Sequence, residues 1–261
     1  MRLTSITALA VLAAAAPTPA FSQQDFSWRG RIPAGGRIEI KGVNGDVSAV
    51  AASGAEAEVT AIKRGNKSDP DDVTIEVIEH AQGVTICAVY PTPPRARQEN
   101  GCDVGDDWHS NTRDNDVNVH FTVKVPRGVA FHGRTVNGEM DAVGLSGDAF
   151  VSTVNGSVRV STTGLAEATT VNGSITASLG RANWQDELEF HTVNGGITLD
   201  LPGDLDTEVR AETVNGDIIS DFPLTVRGRF GPRRVSGTIG KGGRTLHLGT
   251  VNGNIKLRKR A

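Results

Sequence analysis

The chain has 261 residues, of which 38% are hydrophobic, 5% aromatic and 22% charged, with a formal net charge of −3. Its 31 glycines are about 12% of the residues against an ordinary share of roughly 7%, so apolar content has shifted into small residues and Val/Ile. This composition excludes a disordered chain, and the one apolar run is too short for a membrane span of about 20 residues.

That run is N-terminal. Met1 and Arg2 lead into the apolar stretch Ile6 to Ala16, followed by Pro17, Pro19, Ala20 and Ser22. A basic start, a short apolar core and small residues before the cut describe a secretory signal peptide over residues 1–22, cleaved near Ala20 or Ser22. No cysteine sits at the cut, so a lipid anchor is not expected there. The mature product is expected in the periplasm or outside the cell, with no transmembrane span and a net charge of −4 after loss of Arg2.

Residues 23–129 read as a strand-rich region. Arg37-Ile38-Glu39-Ile40, Ala57 to Ile62, Val73 to Ile78 and Asp116 to Val125 alternate with a period of two. Between Pro91 and Asp116 lies a long polar loop. Cys87, in a strand-like run, and Cys102, in that loop, stand 15 residues apart, and an oxidising compartment favours a disulfide between them. The alternative is one buried and one exposed thiol.

A repeat organises residues 130–261. Thr135-Val136-Asn137-Gly138 returns at Thr153-Val154-Asn155-Gly156, Thr170-Val171-Asn172-Gly173, Thr192-Val193-Asn194-Gly195, Thr213-Val214-Asn215-Gly216 and Thr250-Val251-Asn252-Gly253. Arg234-Val235-Ser236-Gly237 is a degenerate copy, and Gly42-Val43-Asn44-Gly45 an early one. From Asn137 the corner positions, Ser236 included, step by 18, 17, 22, 21, 21 and 16 residues. Asn-Gly is a turn signal because both residues tolerate positive φ. One identical corner per unit of about 20 residues is the mark of a solenoid rather than of a hairpin meander, whose turns come every 8–12 residues. The expected fold is all-β: a parallel β-solenoid (β-helix) with an N-terminal antiparallel or mixed β cap. Val and Ile should point inward on either side of each corner, and Asn44, Asn137, Asn155, Asn172, Asn194, Asn215, Ser236 and Asn252 should mark the corners, the asparagines stacking as a ladder.

Val43-Asn44-Gly45-Asp46-Val47, the run Val119 to Pro126 and the serial Thr-Val-Asn-Gly copies together resemble bacterial adhesin-type envelope domains built on β-strand repeats. These domains are similar to the head domain of auto-transporter-like adhesins. The resemblance spans roughly residues 25–257 and implies a fold and a surface role; it carries no catalytic residues over to this chain.

Signatures of chemistry are scarce. The six histidines fall in no metal or nucleophile motif, so neither a metal nor any other cofactor is expected. Asp103, Asp106, Asp107, His109, Asp114 and Asp116 crowd the long loop, but their spacing matches no calcium loop, and a solvated loop is the simpler reading. A polysaccharide-processing β-helix would need acids converging from neighbouring coils, and the few aromatics argue against a sugar cleft. An enzyme is therefore not expected.

Charge is uneven along the chain. Residues 186–221 hold ten acids and one base, and residues 227–261 hold ten bases and no acid. If sequence order is axial order, an acidic band abuts a basic end carrying Arg233, Arg234, Lys256, Arg258, Lys259 and Arg260. Such an end suits an anionic envelope partner, whether glycan, lipid headgroup or acidic protein, or end-to-end self-association as a scaffold. Nucleic acid does not fit an exported chain. The expected function is a non-enzymatic envelope or surface interaction module.

Overall fold

The structure, a computed structural model, describes residues 26–105, 108–180, 184, 187–227 and 233–260. The signal-peptide segment 1–22 and the loop acids Asp106 and Asp107 lie outside the described residues.

The first seven strands are β1 (Phe26–Arg31), β2 (Arg37–Lys41), β3 (Val47–Ala51), β4 (Glu56–Arg64), β5 (Thr74–His80), β6 (Gly83–Val89) and β7 (Asn118–Val125). The next eight are β8 (Ala130–Arg134), β9 (Met140–Leu145), β10 (Ala149–Ser152), β11 (Val158–Thr162), β12 (Ala166–Thr169), β13 (Ile175–Leu179), β14 (Leu188–His191) and β15 (Ile197–Pro202). The last six are β16 (Thr207–Asn215), β17 (Ile218–Ser220), β18 (Thr225–Arg227), β19 (Arg233–Ile239), β20 (Thr245–Asn252) and β21 (Ile255–Arg260). A single 3-10 turn, Pro70–Asp72, is the one helical element among the described residues. No helix among them is long and apolar enough to cross a membrane.

These strands form two sheets. The ten-stranded sheet runs β1-β4-β7-β3-β9-β11-β13-β15-β21-β17, and the eleven-stranded sheet runs β18-β19-β16-β20-β14-β12-β10-β8-β2-β6-β5. One coil is a strand in the larger sheet, a corner, and a strand in the smaller one. The coils β2–β3, β8–β9, β10–β11, β12–β13 and β14–β15 stack in parallel, in sequence order. The chain is thus all-β and solenoid-like, with two strands per coil.

Period-two alternation decides which residues enter the core. In β11 and β13 the inward Val158, Val160, Ile175, Ala177 and Leu179 are all at most 2% exposed, and facing strands add Ala149, Ala166, Ala168 and Phe190. Small inward alanines let the two sheets approach closely, and the apolar surface removed from water drives the stacking.

Axial order departs from sequence order at the C-terminal end. β20 pairs in parallel with both β14 and β16, and β21 with both β15 and β17. The last coil, residues 245–260, is therefore inserted between the coils 188–202 and 207–220. The expected acidic band abutting a basic end holds only in part: β19, with Arg233 and Arg234, lies near the end of the eleven-stranded sheet against acidic β16, but basic β21 lies inside the acidic stretch, with Arg258 in register with Asp200.

At three of the four sheet ends the strands turn antiparallel, β17 remaining parallel to β21. β4 runs against β1 and β7, β5 against β6, and β19 against β16 and β18.

Candidate functional site

The corners are built from four residues with separate tasks. Each Asn side chain donates its amide to the side-chain oxygen of the Asn one coil earlier in the stack. Asn137 donates to Asn44, Asn155 to Asn137, Asn172 to Asn155, Asn194 to Asn172, Asn252 to Asn194 and Asn215 to Asn252, all at 2.7–2.8 Å. The Thr hydroxyls turn inward and donate to the corner glycine carbonyl of the neighbouring coil, as Thr153 does to Gly138 at 3.0 Å and Thr192 to Gly173 at 2.8 Å. A Cβ on Gly138, Gly156, Gly173, Gly195, Gly216 or Gly253 would collide with the corner glycine carbonyl of the adjoining coil. Of the Asn-Gly corners only Gly45 has a positive φ, so close approach, not turn conformation, requires the other glycines.

Two expectations about the corners are corrected here. Because Thr faces in, the next residue must face out: Val154, Val171 and Val214 are 38%, 38% and 47% exposed rather than inward. Ser236 is not at a corner; it lies within β19, paired antiparallel with Arg210.

The basic residues are spread over two faces. Lys256, Arg258, Lys259 and Arg260 belong to β21 in the ten-stranded sheet, and Arg233 and Arg234 to β19 in the other. Arg234 pairs with Glu212 at 3.3 Å, and the Arg260 guanidinium reaches across β15 to the Ser178 hydroxyl at 3.0 Å. Arg258 and Lys259 are exposed, and the side chain of Arg233 lies outside the described residues.

Cys87 and Cys102 form a disulfide, which fastens the long loop to β6. The loop then closes over β2. The fully buried Lys41 ammonium donates to the carbonyls of Asp103 and Gly105 and lies 3.5 Å from the Glu39 carboxylate. Burial pushes the Lys41 ammonium below its usual range, against the pull of Glu39. Burial also pushes Glu39 up, but the Thr85 hydroxyl at 2.7 Å, the Gly105 amide and Lys41 outweigh it and hold the carboxyl low. Further along the loop, the amides of Ser68 and Lys67 hold the Asp116 carboxyl low, so this acid fastens backbone. Among the described residues no three or more His, Cys, Asp or Glu side chains are grouped to hold a metal.

Beside the loop, on the outer face of the eleven-stranded sheet, lies a trough of about 190 Å³. Gly133, Val151 and Ala168 form its floor, on neighbouring coils. Glu39, His132, Phe150 and Glu167, in register on successive strands, form one wall. Arg134, Ser152 and Thr169, likewise in register, form the other. The His132 and Phe150 rings meet at 4.9 Å, tilted by 57°. Glu167 is pushed up to about 7, chiefly by burial and then by the Glu189 carboxylate on the next coil. An acid that stays protonated near neutrality beside a second carboxylate can donate a hydrogen bond or a proton. No motif announces these residues, because they come from four coils; only the shared outward phase of the alternation links them.

The family model for Toastrack DUF4097 matches residues 105–258, more than half of the chain. The chain belongs to the Toastrack DUF4097 family. The match takes in β7 to β20 and most of β21, thus every corner after Asn44. Among solved structures, a candidate cell adhesion protein of Clostridium sporogenes is 10% identical, covering 91% of this chain and 100% of that one, with a TM-score of 0.48. A candidate adhesin of Bacteroides fragilis is 12% identical over 90% of this chain and 97% of that one, with a TM-score of 0.28. Another, from Parabacteroides merdae, is 11% identical over 92% and 98%, with a TM-score of 0.24. At these TM-scores none of the three bears on what this Toastrack chain does. No curated protein matches it.

Proposed function

We propose that this Toastrack protein is a non-enzymatic interaction module of the bacterial envelope or surface, exported by a signal peptide over residues 1–22 and acting in the periplasm or outside the cell. Residues 23–129 serve as its cap: the antiparallel strands around β4 and β5 cover one end of the stack, where unpaired edges would otherwise recruit other chains. Residues 130–261 continue the solenoid that β2–β3 begins within the first region. One observation carries the reading. Successive coils repeat the same hydrogen-bonded corner while varying their outward side chains, so a rigid support displays a changing strip of chemistry along the stack.

Two surfaces are available to a partner: the trough from Glu39 to Glu167, and the basic strand β21. On β21 the exposed Arg258 and Lys259 with the half-buried Lys256 suit an anionic envelope component, whereas Arg234 and Arg260 are engaged within the chain. The test is retention of the mature protein by an envelope fraction at low and high salt. Retention that falls with salt and with Lys256→Glu/Arg258→Glu supports the basic strand. Retention that ignores both but falls with trough substitutions moves the contact to the trough. No retention by any envelope fraction overturns the module.

Glu167 favours a second reading, a polysaccharide-processing enzyme, because it sets a protonated acid beside Glu189 on a neighbouring coil. Release of reducing ends from envelope or capsular polysaccharide, abolished in Glu167→Gln, would establish it.

A further inference from the structure

We propose that the trough on the eleven-stranded sheet binds one unit of a neutral glycan, whose chain lies across the strands, parallel to the stack. This rests on the interaction-module reading and names the ligand chemistry of one of its two surfaces.

The shape comes first. The trough is lined from β2, β8, β10 and β12, and neighbouring strands lie roughly 4.8 Å apart, so its long direction crosses about 14 Å of sheet. Its 190 Å³ falls below the roughly 300–1,000 Å³ of pockets for drug-sized ligands. It suits one ring-sized unit of a chain that continues beyond both ends, not a whole cofactor.

The chemistry of the walls selects among polymers. Phe150, half-buried and propped by the His132 ring, gives one wall an apolar surface against which the C–H face of a pyranose can pack. Ser152 and Thr169 on the opposite wall each offer a hydroxyl, which both donates and accepts. Carboxyl groups stand at the two ends of the first wall: Glu39 beside the loop and Glu167 at the far end. Polyols match this mixture because every hydroxyl serves either kind of partner.

Charge excludes the competitors. Glu39 is paired with Lys41 at 3.5 Å, and Arg134 stands in the wall across from the acids, so the trough carries both signs. With both Glu167 and Arg134 in its lining, the trough offers neither a polyanion nor a polycation a field of one sign. Burial, and then the Glu189 carboxylate, raise Glu167 to about 7, so near neutral pH a large share of this acid is protonated and can donate a hydrogen bond. The low aromatic content argued against a sugar cleft only as an average over the chain: Phe150 lies where such a cleft needs it.

The experiment is saturation-transfer NMR and calorimetry on the mature chain, with chitotetraose, cellotetraose and maltotetraose as neutral probes and tetragalacturonate as the acidic one. Binding of at least one neutral probe is expected. Phe150→Leu and Thr169→Val, which keep the volume of the side chain near its original value, should each weaken it about tenfold. Arg64→Glu, at an exposed position of β4 on the other sheet, should leave it unchanged. Failure of all three neutral probes, preference for tetragalacturonate, or binding untouched by both trough variants overturns the assignment. Envelope retention separates the readings: failure of the neutral probes with envelope retention intact removes the glycan trough and leaves the module, whereas absence of retention removes the module as well.

Discussion

Gly156 rests directly on Gly138 of the neighbouring coil, so closely that any Cβ on Gly156 would overlap the Gly138 carbonyl oxygen. That same oxygen accepts the Thr153 hydroxyl at 3.0 Å. The Gly138 carbonyl thus joins two features of the repeat, the glycine that must lack a side chain and the threonine that must have a hydroxyl.

Substituting Gly156 by Ala forces the coils apart or shifts the corner, an overpacking cost of about 2–3 kcal/mol. Gly101→Ala, where an added methyl meets nothing within 4 Å, is the matched control and should be near neutral. Thermal unfolding followed by circular dichroism distinguishes them. Equal melting temperatures for the two variants would contradict the close-contact account of the corner.

The Asn ladder predicts a position-dependent effect. Asn155 bridges Asn137 and Asn172, whereas Asn215 ends the ladder with a single bond to Asn252. At about 1 kcal/mol net per hydrogen bond, Asn155→Ala should destabilise by roughly twice as much as Asn215→Ala. Urea unfolding of both variants, compared at equal m-values, measures the ratio.

The corner was the most legible part of the fold, and it was legible for a partly wrong reason. Asn-Gly signals a turn, yet Gly138 and its equivalents are required by contact between coils, a relationship that a single corner does not contain. Val154 looked like core because it is β-branched and apolar; the inward turn of Thr153 reverses the phase and exposes it. The placement of β20–β21 was beyond reach because the repeats are nearly equivalent: any coil can pair with any other, and the path of residues 203–244 decides which does. The trough was hidden for a related reason. Glu39, His132, Phe150 and Glu167 are neighbours only through strand register, over 128 residues of sequence (167 − 39). Cys87 and Cys102, by contrast, were readable because the chain holds just two cysteines.

The disulfide closes a loop between positions 15 residues apart. In the chain-entropy account a loop of that length contributes roughly 3 kcal/mol. Cys87→Ala/Cys102→Ala should lower stability by about that amount. It should also loosen the hold of the loop on Lys41, whose ammonium is otherwise sealed by Asp103 and Gly105. Hydrogen exchange should then rise at residues 100–105 and in β2 while strands β10 to β15 stay protected. Unchanged exchange in the loop would show that Lys41 and Glu39 hold it without the bridge.

Glu167 makes stability depend on pH in a defined window. Its folded pKa, about 7, lies above the ordinary 4.5, so the folded state favours the protonated form. The contribution is fully present below about 4.5 and is lost as pH rises through 7. Glu167→Gln removes the charge at all pH values while keeping the shape. Its melting temperature should match that of the unmodified chain near pH 4 and exceed it at pH 8. A constant difference between the two across that range would show that Glu167 titrates normally.

The inserted coil changes how the basic segment can be tested. β21 is hydrogen-bonded on one edge to β15 and on the other to β17, and Leu257 is buried between the sheets. Deleting residues 245–261 therefore removes an internal coil rather than a tail, stranding β16 and β17 from the rest of the stack. Such a truncation should lose cooperative unfolding and bind apolar dyes, so any loss of partner binding would reflect misfolding. Lys256→Glu/Arg258→Glu should instead keep the unmodified melting profile to within about 1 kcal/mol, because Arg258 is exposed and Lys256 only half-buried. A truncated chain that melts as sharply as the full one would contradict the insertion of β20–β21 between β14–β15 and β16–β17.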